Sequence, residues 1–224
     1  MNHSVCTAIL GLAILLPGVS EAQVTLTPPE TPRWDAAVSV GWLGVHTSDI
    51  GLDSHRWYDT ASFEAGAGRY LSPHLKVEFD VAASAKASLL GFEPALVPGN
   101  PYTYPRARTH TLQATGVTGA FAYQFFENAW FHPFVGAGVA VVHETERAER
   151  LAAEPRFVDS VRPPVVLPEL PPLDRSRTVA HPFLTVGFKT YATERLFFRS
   201  DLRVAASSDG AESITWRAGM GVDF

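Results

Sequence analysis

Acidic and basic side chains alternate with apolar ones in two stretches, Lys76-Val77-Glu78-Phe79-Asp80 and Arg199-Ser200-Asp201-Leu202-Arg203. With Glu64, Lys189, Arg217 and Asp223 they form a set of opposite charges whose natural chemistry is ion pairing in an enclosed space. A second candidate is His46-Thr47-Ser48, a base and a hydroxyl two residues apart, with Asp49 or Glu64 as orienting acids. His-x-Ser arises often by chance, so the pair alone does not establish a nucleophile. His46, His55, His110, His143 and His181 fall toward one end of the segments that carry them. Their expected directions disagree and no i, i+2 histidine pair exists, so the sequence offers no metal site. Cys6 is the sole cysteine, which excludes zinc sites built on thiolates.

The alternation identifies the elements that must position these groups. Ile214, Trp216, Ala218, Met220, Val222 and Phe224 are separated by Thr215, Arg217, Gly219, Gly221 and Asp223. A period of two places one set on each face of a strand. One set is too polar for the core of a soluble protein, and the other is too apolar for water. A transmembrane β-strand satisfies both, with apolar residues toward lipid and polar residues toward a lumen. Leu75, Val77, Phe79, Val81 and Ala83 against Lys76, Glu78, Asp80, Ala82 and Ser84 repeat the pattern, as do Leu196, Phe198, Leu202 and Val204 against Arg199, Asp201 and Arg203. Val117, Phe121 and Tyr123 are expected to face lipid as well. A soluble β-sandwich would need the charged rows solvated and the apolar rows facing one another.

Eight segments carry this period: Trp34–His46, Asp59–Leu71, Leu75–Lys86, Arg108–Phe125, Trp130–Glu144, Thr178–Tyr191, Leu196–Ser207 and Ser213–Phe224. Their connections alternate. Ser72-Pro73-His74, Phe126–Ala129 and Ala192–Arg195 are tight, while 47–58, 87–107 and 145–177 are long, followed by a shorter Ser208–Glu212. Outer-membrane barrels have short periplasmic turns and longer extracellular loops. With a periplasmic N-terminus, every long loop falls outside. Trp34, Tyr70, Trp130, Phe131, Phe197 and Phe224 are expected in a periplasmic aromatic belt, and Trp42, Trp57, Tyr58 and Trp216 in an outer one. The expected fold is all-β: an eight-stranded antiparallel up-and-down transmembrane β-barrel over 34–224.

The N-terminus reads as an export signal over 1–22. Val5–Leu16 is apolar but too short to span a bilayer as a helix, Pro17-Gly18 breaks it, and Ser20-Glu21-Ala22 offers small residues for cleavage. Residues 23–33, with Pro28, Pro29 and Pro32, follow as an extended periplasmic lead-in. A formal charge of −5 gives no reason to expect nucleic acid as a partner.

Ser62-Phe63-Glu64-Ala65-Gly66-Ala67-Gly68-Arg69-Tyr70-Leu71-Ser72-Pro73-His74-Leu75 resembles a segment common in small outer-membrane β-barrels of the OmpA/OmpW/opacity-like group. His132-Pro133-Phe134-Val135-Gly136-Ala137-Gly138-Val139-Ala140 resembles the "PYVGAGVG" strand of that porin-family superfamily. The terminal run Trp216, Met220, Val222 and Phe224 resembles the signal read by the barrel-assembly machinery. These motifs are glycines, turn residues and belt aromatics, so the resemblance implies a fold and an outer-membrane location but no catalytic residues. One lipid A deacylase family on eight-stranded barrels uses a His-x-Ser pair, to which His46-Thr47-Ser48 is similar in spacing only.

An eight-stranded barrel is just wide enough for side chains to fill. The inward rows place Glu64, Lys76, Glu78, Asp80, Lys189, Arg199, Asp201, Arg203, Arg217 and Asp223 in that tube, where isolated charges are costly. The expectation is a stack of ion pairs acting as a structural plug. Glu78 and Asp80 should lie level with Arg199 and Arg203, with Lys76, Lys189 and Asp223 below and Glu64 and Arg217 above. Loop 145–177 begins with charged Glu144-Thr-Glu-Arg-Ala-Glu-Arg, able to extend a hairpin or form a short helix. It continues through Pro163, Pro164, Pro168, Pro171 and Pro172, which favour extended polyproline backbone and withhold donors from a sheet. The sequence therefore ranks a non-enzymatic structural or surface-interaction barrel without cofactor first. Its partners would be outer-membrane lipid and lipopolysaccharide, the assembly machinery during biogenesis, and a molecule met by loop 145–177. A narrow porin-like channel ranks second, and a lipid A-modifying enzyme third.

Overall fold

The computed structural model describes residues 34–47, 56–97, 103–126, 130–157, 164–208 and 210–224. The expected signal over 1–22, the lead-in over 23–33, and Ser48, Asp49, His55 and Pro163 lie outside the described residues. So does the Trp57 side chain.

The described chain is built of strands: β1 (Trp34–Thr47), β2 (Arg56–Tyr70), β3 (Leu75–Ser84), β4 (Ala87–Leu96), β5 (Thr103–Gln124), β6 (Phe131–Ala148), β7 (Glu154–Arg156), β8 (Val165–Leu167), β9 (Leu173–Tyr191), β10 (Leu196–Ser207) and β11 (Gly210–Asp223). β1, β2, β3, β5, β6, β9, β10 and β11 form the wall, each antiparallel to the next. β1 pairs with β11 from Asp35↔Asp223 to Val45↔Ser213, which closes the sheet into an eight-stranded barrel with no free edge in its wall. At the seam, Trp34 and Phe224 exchange backbone hydrogen bonds of 2.9 Å.

Local chemistry explains the tight turns. In Ser72-Pro73-His74-Leu75 the Ser72 hydroxyl accepts the N–H groups of His74 (3.3 Å) and Leu75 (3.0 Å). In Thr193-Glu194-Arg195-Leu196 the Thr193 hydroxyl does the same for Arg195 (3.4 Å) and Leu196 (3.0 Å). Short hydroxyl side chains satisfy backbone donors that a two-strand reversal leaves unpaired.

The polarity is inverted relative to a soluble protein. Phe79, Leu202 and Met220 are 68%, 40% and 57% exposed on the outer wall, while Asp80 and Arg203 are 8% and 7% exposed inside. The outward apolar band ends where Val117 gives way to Thr115 and Gln113 on β5, and Val141 to His143 on β6. β5 runs for 22 residues. Such a strand rises about 75 Å along its axis, or about 55 Å at a barrel tilt near 40°. That is about twice the ~25 Å apolar band of an outer-membrane barrel, so the long-loop end stands well clear of it.

This projecting part departs from the sequence expectation. Much of the range expected as loop 87–107 is strand: Ala87–Leu96 continues beyond β3 and pairs with β5 from Ala87↔Leu112 to Leu96↔Thr103. Within 145–177, β6 and β9 stay paired to Ala148↔Leu173 and β7 pairs with β8. Extended polyproline backbone was expected around Pro163, Pro164, Pro168, Pro171 and Pro172; among the described residues there only Val165–Leu167 joins a ladder, with Glu154–Arg156, where Pro155 stands opposite Val166. Proline blocks only the ladder positions that need its N–H.

Candidate functional site

The ten charged residues that strand parity turns inward meet in one network along the tube, in three levels. At the short-turn end, the Lys189 ammonium donates to Asp223 (2.5 Å), Asp35 (3.4 Å) and the Tyr70 hydroxyl (2.8 Å), and lies 3.7 Å from the centre of the Phe197 ring. Lys76 donates to Asp35 (2.7 Å) and pairs with Glu78 (2.5 Å). Tyr191 donates to Asp223, and Gln124 reaches Tyr70 at 3.4 Å. Gly68 makes room here: a Cβ would stand 2.8 Å from the Lys76 stem. In the middle, Arg199 on β10 crosses the tube to grip Glu78 on β3 with two bonds of 2.6 and 3.0 Å, and holds Asp201 at 2.8 Å. Above it, Arg203 donates to Asp80 (3.1 Å) and approaches Glu64 (3.6 Å). Arg217 pairs with Glu64, Asp201 (2.6 Å) and Asp80 (3.7 Å). Glu64 and Arg217 therefore share a level with Asp80 and Arg203 rather than lying above them, because the long guanidinium arms interleave.

Sequence reasoning missed Asp35, although its parity on β1 matches the inward row and it is 4% exposed. It also assigned Tyr70, Phe197 and Tyr58 to the aromatic belts, whereas their rings point inward. Phe197 and Tyr58 are 1% and 8% exposed. Phe197 shares parity with Arg199, so the inward row itself carried the signal. Trp34, Trp130, Val222 and Phe224 remain on the outer wall at one end and Trp42 beside Trp216 nearer the other, with Met220 between them on β11.

The interior is not wholly ionic. Beyond the charged levels, Ala120, Ala140, Phe183 and Ala205 form a buried apolar layer, with the Phe183 ring 4.2 Å from the Arg203 guanidinium. A Cβ on Gly138 would come 2.8 Å from that ring, so the small residue lets Phe183 fill the bore. Val45, Tyr58, Ala87 and Leu112 form a second layer further out. The expectation of a purely ionic filling is thus corrected: beyond the ion pairs, small and aromatic side chains share the filling of the bore.

No protein-family model and no curated protein sequence matches the chain. Among solved structures it is similar to Neisserial surface protein A, with a TM-score of 0.50 and 12% identity over 85% of this chain and 97% of that one. It is also similar to the N-terminal β-barrel domain of Pseudomonas aeruginosa OprF (TM-score 0.46, 12% identity, 87% and 100% covered). A third is the Escherichia coli outer membrane protease OmpT (TM-score 0.46, 11% identity, 92% and 100% covered). This chain has the fold of the outer-membrane β-barrels. At such identities the fold is what is shared.

The barrel's long-loop end holds a second cluster, of which sequence reasoning had singled out His110 but neither arginine. Arg106, Arg108 and His110 lie on the inward face of β5 and are each no more than 4% exposed. Arg106 donates to the carbonyls of Pro168 (2.6 Å) and Ala152 (2.9 Å). Arg108 donates to those of Ala148 (3.0 Å) and Pro171 (2.7 Å) and to Glu93 (3.0 Å). His110 contacts Glu146 at 2.8 Å and Glu93 at 3.3 Å. Prolines cannot donate, but their carbonyls accept, so the proline-rich segment folds inward onto this arginine pair as a cap. Leu167 is fully buried beneath it. At the cap surface Arg150 and Glu169 pair at 2.6 Å, and the hydrogen bond from Arg150 holds the Glu169 carboxyl below its ordinary range.

Of the catalytic candidates, only His46 and Glu64 lie among the described residues, and these two stand apart. Glu64 stands opposite Ser39, whereas His46 stands opposite Trp57 at the far end of the same ladder. Glu64 also faces the bore and is engaged by Arg217, so it cannot orient His46. His110 faces inward, while His143 is exposed on the outer wall beside Thr178 (3.0 Å). Among the described residues no cluster of three His, Cys, Asp or Glu suits a metal ion.

Proposed function

We propose that this chain is a non-enzymatic bacterial outer-membrane barrel whose tube is closed by its own side chains and whose capped outer end meets another molecule at the cell surface. The observation that supports it most is the filled bore, in which three levels of ion pairs are followed by the Phe183 layer and then by the Tyr58 and Leu112 layer. Eight strands leave little space beyond such side chains. The exposed apolar outer wall supports insertion in lipid, and the outward run Trp216, Met220, Val222 and Phe224 supports recognition by the assembly machinery during biogenesis. The ordered cap over Arg106 and Arg108 offers a defined surface rather than a floppy one.

Planar bilayer recording tests the closed tube. The wild-type protein is expected to give no discrete conductance steps, and stable steps would favour the narrow channel instead. Replacing residues 149–172 with a short Gly-Ser linker should leave heat-modifiable folding intact and abolish surface binding. Labelled lipid A incubated with the protein should release no acyl chain.

A further inference from the structure

At the short-turn end of the tube, an amine and a carboxylate are held against each other in a dry, aromatic enclosure. The Lys189 nitrogen stands 2.5 Å from Asp223 Oδ1, and the two residues are 1% and 4% exposed. The ring centres of Phe197, Tyr191 and Tyr70 lie 3.7, 4.9 and 5.4 Å from that nitrogen. Gly221 allows this fit, since a Cβ there would collide with the Phe197 ring. A second carboxylate, Asp35 on β1, lies 3.4 Å from the same nitrogen. The Tyr191 hydroxyl donates to the other oxygen of Asp223, Oδ2. Elsewhere in the bore Glu64, Glu78, Asp80 and Asp201 are each held by a guanidinium, which fixes them as carboxylates. The described side-chain partners of Asp223 are instead an amine and a phenol.

We propose that Lys189 and Asp223 condense to an intramolecular amide, a covalent tie between β9 and β11 that forms once the barrel has closed. The Lys189 nitrogen attacks Asp223 Cγ, and the bond from Cγ to Oδ1 breaks. Two of the three ammonium protons leave with Oδ1 as one molecule of water, Asp35 carrying the first of them, and the third stays as the amide N–H. Charge gathers on Oδ2 in the tetrahedral intermediate, where the Tyr191 hydroxyl already points. In bulk water the solvated ions win over the amide. In this enclosure they lose that solvation, and fixed contact replaces a bimolecular encounter. The product strands nothing. Asp35 keeps Lys76 at 2.7 Å and Tyr70 at 3.3 Å, Tyr191 keeps the amide oxygen, and one buried charge of each sign disappears. Because Asp35 belongs to β1, the site is complete only when β1 pairs with β11, so the bond locks a barrel already closed. The amide fills the bore as the ion pair does, so the tie is independent of whether the tube conducts or the cap meets a partner.

The test follows the full chain, folded in micelles at neutral pH, by intact-mass spectrometry and tryptic mapping. The folded chain is expected to become lighter by one water than never-folded chain kept in urea. Trypsin should then release a branched fragment joining 178–195 to 218–224, uncut after Lys189. Lys189→Met should abolish both signals. Tyr191→Phe should slow the appearance of the joined fragment about a hundredfold while heat-modifiable mobility is retained, and an unchanged rate overturns the part given to Tyr191. If either variant fails to fold, the mass and map of the wild-type chain decide alone. Full mass in the folded wild-type chain after prolonged incubation overturns the proposal. Loss of water without the joined fragment does so too, because it would mark a succinimide elsewhere. So does the same fragment from never-folded chain, because the closed site would then have played no part.

Discussion

The brace across the tube, Arg199 to Glu78, offers the sharpest quantitative test. Glu78 is 3% exposed and receives two bonds from Arg199, 2.6 and 3.0 Å, and one contact from Lys76 at 2.5 Å. Arg199→Met leaves Glu78 with Lys76 alone, and Lys76 is already shared with Asp35. Glu78→Met leaves Arg199 with Asp201 alone. Removing one partner of a buried pair costs about 3–5 kcal/mol. The surviving contact in each single variant places the expected loss near the lower bound, about 3 kcal/mol. In the double variant Arg199→Met/Glu78→Met no orphaned charge remains and two thioether chains fill the space. Its loss should be no larger than that of either single, a coupling of about 3 kcal/mol. Urea unfolding of the refolded barrel in lipid, followed by tryptophan fluorescence and gel mobility, measures all three. Single losses under about 1 kcal/mol, or a double loss equal to their sum, would refute the claim that these ions hold the walls together.

Three further outcomes follow from the same geometry. Arg203→Ala alone should leave the tube closed, because the Phe183 ring lies against that guanidinium in the next layer. Arg203→Ala/Phe183→Ala should give conductance steps, and conduction by the single variant would remove the apolar seal from the account. Arg108→Ala deletes the donors to Ala148, Pro171 and Glu93, so limited proteolysis should cut within 149–172 faster while barrel mobility is unchanged; equal cleavage rates contradict the cap. Arg150→Ala should raise the Glu169 midpoint in an NMR titration, since the hydrogen bond from Arg150 lowers it. The pair helps the cap above the ordinary carboxylate range and loses that effect as pH falls, and an unmoved midpoint would exclude the interaction.

Much of the wall was readable before any fold existed. The parity that sets Lys76, Glu78 and Asp80 against Val77 and Phe79 is a property of single strands. Asp35, Tyr70 and Phe197 were legible by the same rule and were overlooked, because one acid near a strand end and two aromatics fitted other habits of barrels. The strand Ala87–Leu96 was harder. Its alternation, Ser88-Leu89-Leu90-Gly91-Phe92-Glu93-Pro94, is broken by adjacent leucines, a glycine and a proline, so only pairing with β5 reveals it. The cap was hidden more deeply. Arg106 bonds Pro168 across 62 residues and Arg108 bonds Pro171 across 63, and no local pattern encodes a carbonyl partner at that distance.

The residues alone determined which side of the wall each group occupies, since alternation is short-range and one slipped residue would turn every charge into lipid. Closure of the sheet decided the rest. Joining β1 to β11 brings β3 and β10 within reach of one another, and so chooses Arg199 for Glu78, fixes the levels of the ion pairs, and places Phe183 and Tyr58 across the bore. Which charges meet depends on the diameter and stagger of the barrel, and these are properties of the whole ring rather than of any strand in it.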